Sequence, residues 1–384
     1  MNLHDRRTFL AALAGGSLVG GLSPSARAAL APPLPFSFRG KTKHVVVIAS
    51  AGGVRTRETF GSPENVPNLK AMADEGVLYT RARTANLGHF GATMSIFTGI
   101  SEARGIRENA RGPDPTVFEY VRKDLGLPPG QAWVATSGGA QQVNYAYGMH
   151  PDYGLRFGAN TLDGDGIFNR EFKAVLDAYG RPRTIEGDEE ALVDSMRGSL
   201  ARAGDGPKKD PESDRQVEKF LLDELTRGTA DLSGANAGDA KALRVARNLV
   251  ALFKPTLTGI VLQDADIAHG SFNGYVEVIR RNDAMIGELW AAIKADPELA
   301  ESTAIFVCPE FGRDADLNAR RGLDHGDGSD DLNYVTCTAW GPDFKKGTVV
   351  QEDVRTIDVI PTACDVLGAK ARFAKGKRLP RLYA

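Results

Sequence analysis

The stretch Ala304-Ile-Phe-Val-Cys-Pro-Glu-Phe-Gly-Arg-Asp314, followed shortly by Gly322-Leu-Asp-His-Gly326, organises the reading of this chain. Its apolar run, Thr303 to Cys308, is short, partly β-branched and bounded by polar residues, so it predicts a buried strand. That strand ends in Pro309-Glu310-Phe311-Gly312-Arg313, which delivers a carboxylate and a guanidinium at its carboxyl end. In an open α/β sheet, ligands bind along that edge. Asp324-His325 lies in a Gly- and Asp-rich loop too polar for a core. Strand end, carboxylate, loop and histidine together resemble the way metal-hydrolase sites are assembled.

Two more runs share the pattern. Lys43 to Ser50 and Leu257 to Gln263 have continuous, not alternating, apolar centres, the mark of parallel strands buried on both faces. The first runs into Ala51-Gly52-Gly53, a tight turn that lets another group approach the backbone closely. The second runs directly into Asp264-Ala-Asp266-Ile-Ala-His269, two carboxylates and an imidazole in one short turn. These form a metal-ligand grouping, the lesser alternative being a capped helix start with Asp266 and His269 solvated. Asn65 to Gly76 predicts a helix with Asn65 or Asn68 as cap and Gly76 as stop. Val77 to Thr80 predicts a strand, and Thr84 to Gly99 a Gly-rich loop running into a helix. Gln131 to Ser137 predicts another strand. Phe272, Tyr275, Val276, Ile279, Ile286, Leu289, Trp290 and Ile293 recur at helical spacing and predict a long amphipathic helix. Between them, Glu189–Arg202, Asp214–Arg227 and Asp239–Phe253 are helix candidates, broken by the charged Gly/Pro segment from Gly204 to Asp214. Residues 140–250 are therefore expected to form an inserted helical cap, within a domain running from 43 to 384.

Hydrophobic residues make up 42% and charged residues 25% of the 384 residues, ordinary values for a globular protein. A net charge of −2 argues against a nucleic-acid or membrane-surface binder. Arg6-Arg7 precede an apolar Gly/Ala-rich run, and Ser25-Ala26-Arg27-Ala28 offers a small-x-small cleavage site. Residues 1–28 thus resemble a twin-arginine signal peptide, with 29–42 as linker. Its apolar run is short for a membrane span, so no stable anchor is expected after cleavage. The expectation is a periplasmic protein carried out by the twin-arginine translocase. Removing 1–28 leaves 44 basic and 48 acidic side chains, a net charge of −4. The cysteines, Cys308, Cys337 and Cys364, read as buried small hydrophobes, with a Cys308–Cys337 bridge as the alternative in an oxidising compartment.

Several motifs resemble one family in their order along the chain. Pro67-Asn68-Leu69, Glu75-Gly76-Val77 and Thr98-Gly99-Ile100 resemble a "PNL…EGV…TG" skeleton. Arg355-Thr-Ile-Asp-Val-Ile-Pro-Thr to Gly368 resembles a "D-hydrophobic-x-PT" helix, and Gly376 to Pro380 the segment that follows it. Both belong to the alkaline phosphatase and sulfatase superfamily. Glu310-Phe-Gly-Arg, Asn318 and Gly322-Leu-Asp-His325, with Gly88-His89-Phe90, resemble its uncharacterised twin-arginine-exported bacterial branch with an "EFGR…N…GRDH" signature. The resemblance implies an α/β fold with a mostly parallel central sheet and helices on both faces. It implies one metal on Asp266, His269 and His325, with Asp264 in place of Asp266 as an option, and Glu310 and Asp324 as further ligands or their partners. Imidazole and carboxylate donors suit Zn or Mn better than Ca.

The chain departs from the family at a second metal. Gly52-Gly53 stands where the family's first strand ends in Asp, and Phe311 where a His is usual. The nucleophile position falls on His89, which admits a metal ligand, an anion donor, a phosphoryl acceptor or a structural histidine. Thr93 and Ser95 read as packing or capping residues, and the helix amino terminus near Gly91 favours an anion. Arg313 is a candidate for pairing with Asp324 or for holding an anionic substrate group; Arg55 and Arg57 face the same choice. Asp163 to Phe172 looks briefly like a calcium loop with misplaced ligands, so an Asx/Gly turn is the plainer reading. The basic tail from Lys370 to Arg381 reads as solvated surface. The expected function is metal-dependent hydrolysis of a small phosphate, phosphonate or sulfate ester. A non-catalytic binding protein on the same fold is the alternative.

Overall fold

The computed structural model describes residues 40–101, 111–137, 142–163, 232 and 237–384. The expected signal peptide, the helix candidates Glu189–Arg202 and Asp214–Arg227, and all but the first residue of the calcium-like loop lie outside them. So does most of the expected cap.

Among the described residues, nine strands form one sheet. In chain order the elements are β1 (His44–Ser50), α1 (Pro67–Asp74), β2 (Val77–Arg83), α2 (His89–Thr98), α3 (Val117–Leu125), β3 (Ala132–Thr136) and β4 (Asn160–Asp163). Then come α4 (Gly238–Phe253), β5 (Leu257–Leu262), α5 (Phe272–Ala295), β6 (Thr303–Pro309), β7 (Tyr334–Trp340), β8 (Thr348–Val350), β9 (Val354–Arg355) and α6 (Val359–Leu367). The spatial order is β4-β3-β5-β1-β6-β7-β2-β8, with β9 also on β2. Every pairing is parallel except the two made by β7, so β7 alone runs against the rest. The three strands with continuous apolar runs, β5, β1 and β6, are the adjacent centre of the sheet. Val45 pairs with Leu257 on one side and Ala304 on the other.

Alternate residues of β1 serve opposite faces, as the two-residue period of a strand requires. Val45, Val47 and Ala49 pack with Phe97 of α2, Phe118 of α3 and Ile360 of α6. Val46 and Ile48 pack with Met72 of α1, Leu243 of α4 and Ile279 and Ile286 of α5. Each such aliphatic side chain contributes about 1.5–3 kcal/mol by leaving water. Helices therefore cover both faces of a mostly parallel sheet, as expected.

One local expectation changes, and the cysteines keep the favoured reading as buried free thiols. Neither Asn65 nor Asn68 caps α1: its N-cap is Val66, without a side-chain bond, and Pro67 occupies the first turn. The cap comes from α5, where Asp283 accepts from the backbone of Asn68 (3.0 Å) and Leu69 (2.8 Å). The Cys308–Cys337 bridge is not formed; the sulfurs stand 3.1 Å apart, both buried. Among the described residues, no helix is long and apolar enough to cross a membrane.

Candidate functional site

The carboxyl ends of the three central strands meet at one place. After β1, the chain turns through Gly52 and Gly53, where a side chain has no room. A Cβ on Gly52 would lie 2.6 Å from the Asp266 nitrogen, and Gly53 has a φ of +67°. This close approach seats the turn after β5, a 3-10 helix over Asp264–His269. The loop after β6 folds back onto that turn. Asp314 Oδ1 accepts from the backbone of Gly326 (2.6 Å) and Asp327 (2.9 Å), closing the loop on itself. Asn318 donates to the His269 carbonyl (3.1 Å) and Leu323 N–H to the Ala268 carbonyl (2.7 Å). Asp324 and His325 are thereby placed beside His269. The first residue of α2 is His89.

These elements bring three imidazoles together. One nitrogen from each of His89, His269 and His325 lies within 4.8 Å of the others. The ring centroid of His325 is 4.7 Å from that of His89 and 5.0 Å from that of His269. Asp266 Oδ1 stands 2.9 Å from His89 Nε2 and 3.4 Å from His269 Nε2. His89 Nδ1 faces two acceptors, Glu310 Oε1 at 2.6 Å and the Ala51 carbonyl at 3.0 Å. His269 Nδ1 faces Asp324 Oδ1 at 2.5 Å, and its Nε2 accepts from Arg313 Nη1 at 3.2 Å. Both rings therefore keep a proton on Nδ1, and their Nε2 atoms face Asp266.

The charges follow from this packing. Burial opposes a charge on His89, but the hydrogen bonds and charges of Asp266 and Glu310 outweigh it and raise its pKa to about 10. Burial pushes Glu310 up to about 7, held from going further by His89, Thr93 and Arg313. Asp266 is also opposed by burial, yet His89 and Arg313 hold it well below the usual carboxylate range. His325 is lowered by burial first, and then by the neighbouring positive charges of His89 and Arg313. Without a metal, the site is a chain of alternating charges: Glu310, His89, Asp266 and Arg313.

Not every candidate joins the cluster as a donor. Asp264 turns away, its Oδ2 accepting from the Asp239 backbone at 2.9 Å and lying 3.5 Å from Arg281. Glu310 is completely buried, with both oxygens committed, one to His89 and one to the Thr93 hydroxyl at 2.5 Å. Asp324 is committed to His269 and to Arg320, at 3.3 Å. Arg313 pairs with Asp266 (2.7 Å), not with Asp324. It is wholly buried, and its N–H groups also meet the carbonyls of Gly52, Gly53 and Leu323 and the ring of His269. No N–H of that fork is left for an anionic substrate, so Arg313 ties the turns together. Arg55 is likewise internal, bound to Glu58 and to the Asp314 and Ala315 carbonyls, and Arg57 pairs with Asp331. Thr93, read as packing, belongs to the site; its spacing of four residues from His89 on one helix face is the signal that points there. Phe311 is no ligand, but its ring lies 4.9 Å from His89 and 5.0 Å from His325, walling the cluster.

The donor set fits a divalent metal. His89 Nε2 is buried and, despite the nearby Asp266, has no aligned hydrogen bond. Three imidazoles with a carboxylate beside them are a group that could hold a divalent metal ion.

No protein-family model and no curated protein sequence matches the chain. Solved structures do. Wild-type alkaline phosphatase PafA is 10% identical and has a TM-score of 0.58, covering 90% of this chain and 99% of that one. A protein in the alkaline phosphatase superfamily from Vibrio parahaemolyticus is 12% identical, with a TM-score of 0.50, over 90% and 71% of the two chains. The phosphonate monoester hydrolase of Agrobacterium radiobacter is 13% identical, also with a TM-score of 0.50, over 88% and 76%. At these identities the likeness speaks to architecture, and the chain has the alkaline phosphatase-like α/β fold.

Proposed function

We propose that this protein is an exported, metal-dependent hydrolase of small phosphate, phosphonate or sulfate esters. The observation that carries the reading is the convergence of His89, His269 and His325 at the carboxyl edge of the sheet. In this reading the three imidazoles hold one Zn or Mn ion, with Asp266 beside them. Such an ion supplies Lewis-acid polarisation of an ester oxygen and an acidified water. The chain's own residues prepare the place. Nε2 of His89 would serve the ion, while the Nδ1 proton stays on the Glu310 side. Phe311 keeps water from one wall, and the amino terminus of α2 favours a negatively charged group in front of it. Export by the twin-arginine route rests on Arg6-Arg7 and the Ala28 cleavage site.

The test is metal analysis of protein recovered from the periplasm, with a screen of ester substrates. About one tightly bound ion per chain is expected. His325→Ala should lose the ion and lower the melting temperature. Ester hydrolysis abolished by chelator and restored by Zn or Mn supports the reading; a metal-free protein indifferent to both overturns it. Arg6→Lys with Arg7→Lys should leave precursor in the cytoplasm, and normal export of that variant removes the twin-arginine assignment.

One observation favours a second reading, a binding protein without turnover. The Thr93 hydroxyl is spent on Glu310 and the Arg313 N–H groups on internal acceptors, so neither that hydroxyl nor that guanidinium is left for a substrate. Tight metal binding with no hydrolysis of any ester class would select it.

A further inference from the structure

We infer that Glu310 is not a metal ligand but a positioning residue that makes His89 one. This rests on the metal reading above and assigns residues within it. Glu310 follows β6 directly, and its backbone is held at both ends: its N–H donates to the Ser50 carbonyl (3.1 Å), and its carbonyl accepts from Thr84 Oγ1 (2.7 Å). Its side chain is 0% exposed and lies under the first turns of α2. There Oε2 accepts from Thr93 Oγ1 at 2.5 Å, and Oε1 accepts from His89 Nδ1 at 2.6 Å. The Ala51 carbonyl, 3.0 Å from the same nitrogen, has only lone pairs to offer. Nδ1 of His89 must therefore keep its proton, and Nε2 is the nitrogen left for a cation.

His89 Nε2 is buried without an aligned hydrogen bond, with Asp266 Oδ1 2.9 Å away, and His89 shares one cluster with His269 and His325. His269 repeats the design, its Nδ1 held by Asp324 at 2.5 Å. Two imidazoles in one cluster, each held by a carboxylate at the outer nitrogen, match how metal-binding histidines are oriented. Turning Glu310 toward the cluster would strand both the Thr93 hydroxyl and the His89 Nδ1–H in a buried place. The site thus has His89, His269 and His325 as donors, and Thr93–Glu310 as the buried pair that orients the first.

The experiment measures Zn and Mn affinity of the full exported chain by competition with a chromophoric chelator. Nitrogen NMR of the imidazoles reads the His89 tautomer in parallel. Glu310→Gln should weaken binding by about 10–100-fold. Thr93→Val should weaken it in the same direction, and Thr93→Ser should restore it. In the metal-loaded wild type His89 should hold its proton on Nδ1, and it should lose that preference in Glu310→Gln. Should Glu310→Gln fail to fold, the Thr93 pair carries the test alone. Unchanged affinity in Glu310→Gln or Thr93→Val, or a proton on Nε2 in the metal-bound wild type, overturns the inference while leaving the metal reading intact. A wild-type chain that takes up neither Zn nor Mn overturns both.

Discussion

Arg313 shows how much one side chain holds in this protein. It follows β6 by a few residues, is wholly buried, and joins the turn after β1, the turn after β5 and the loop at Leu323. A planar fork of five donors suits that task, whereas an ammonium cannot span the same acceptors. Arg313→Lys should therefore lower stability by about 2 kcal/mol, less than for a fully buried pair because Asp266 is half exposed. The check is a urea titration, and an unmoved midpoint would show that the fork is dispensable. The cysteines argue in the other direction. All three are buried, and burial pushes the Cys308 and Cys364 thiols up, so neither of those two presents a ready thiolate. Native protein should resist alkylation, and all three should react in denaturant; a single reactive thiol there would mean that Cys308 and Cys337 had closed into a disulfide.

Among the elements, α1 and α5 illustrate a cap supplied across the fold. Val66 offers no side-chain oxygen, so the first turn of α1 depends on Asp283 of α5, which also binds the Asn68 amide at 2.8 Å. The helices can come that close because residue 287 is glycine; a Cβ there would lie 2.4 Å from Asn68. Asp283→Ala removes the cap and strands two backbone donors. The expected loss is about 2 kcal/mol, seen as a lower urea midpoint at unchanged slope. The Pro67-Asn68-Leu69 motif is thus a docking device between two helices on one face of the sheet, at a distance from the imidazoles.

Across the whole molecule, stability should depend on pH through groups outside the imidazole cluster. Asp239, in the first turn of α4, accepts from the backbone of Gln263 (2.7 Å) and from Asn282 (2.7 Å). Burial, and then the charge of Asp264, raise its pKa to about 7. A carboxyl whose folded pKa exceeds its unfolded one binds its proton more tightly when folded. Its contribution is complete below the unfolded pKa near 3.8 and is lost as pH rises through about 7. Asp239→Asn should flatten this part of the profile: thermal melts from pH 4 to 8 should show a smaller decline than in the wild type. An equal decline in both would assign the slope to other groups, of which Glu310, also raised to about 7, is the nearest in kind.

The apolar runs of β1, β5 and β6, the helical stripe of α5 and the edge at which the polar residues gather were legible in the sequence. Burial on two faces leaves a local, continuous apolar signature, and a parallel sheet opens its ligand edge at the strand ends. What the sequence left open was which polar atom meets which. Asp264 and Asp266 are chemically alike and two positions apart, but in a 3-10 turn residues three apart eclipse. Asp266 therefore shares a side with His269 while Asp264 faces α4. Thr93 reaches Glu310, and Arg313 reaches Asp266 instead of Asp324, across large separations in the chain. Periodicity records how deeply a residue is buried, because burial is set by its own element. Partner choice is set by angstrom-scale distances between elements, and those exist only once the sheet, the turns and the helices have packed.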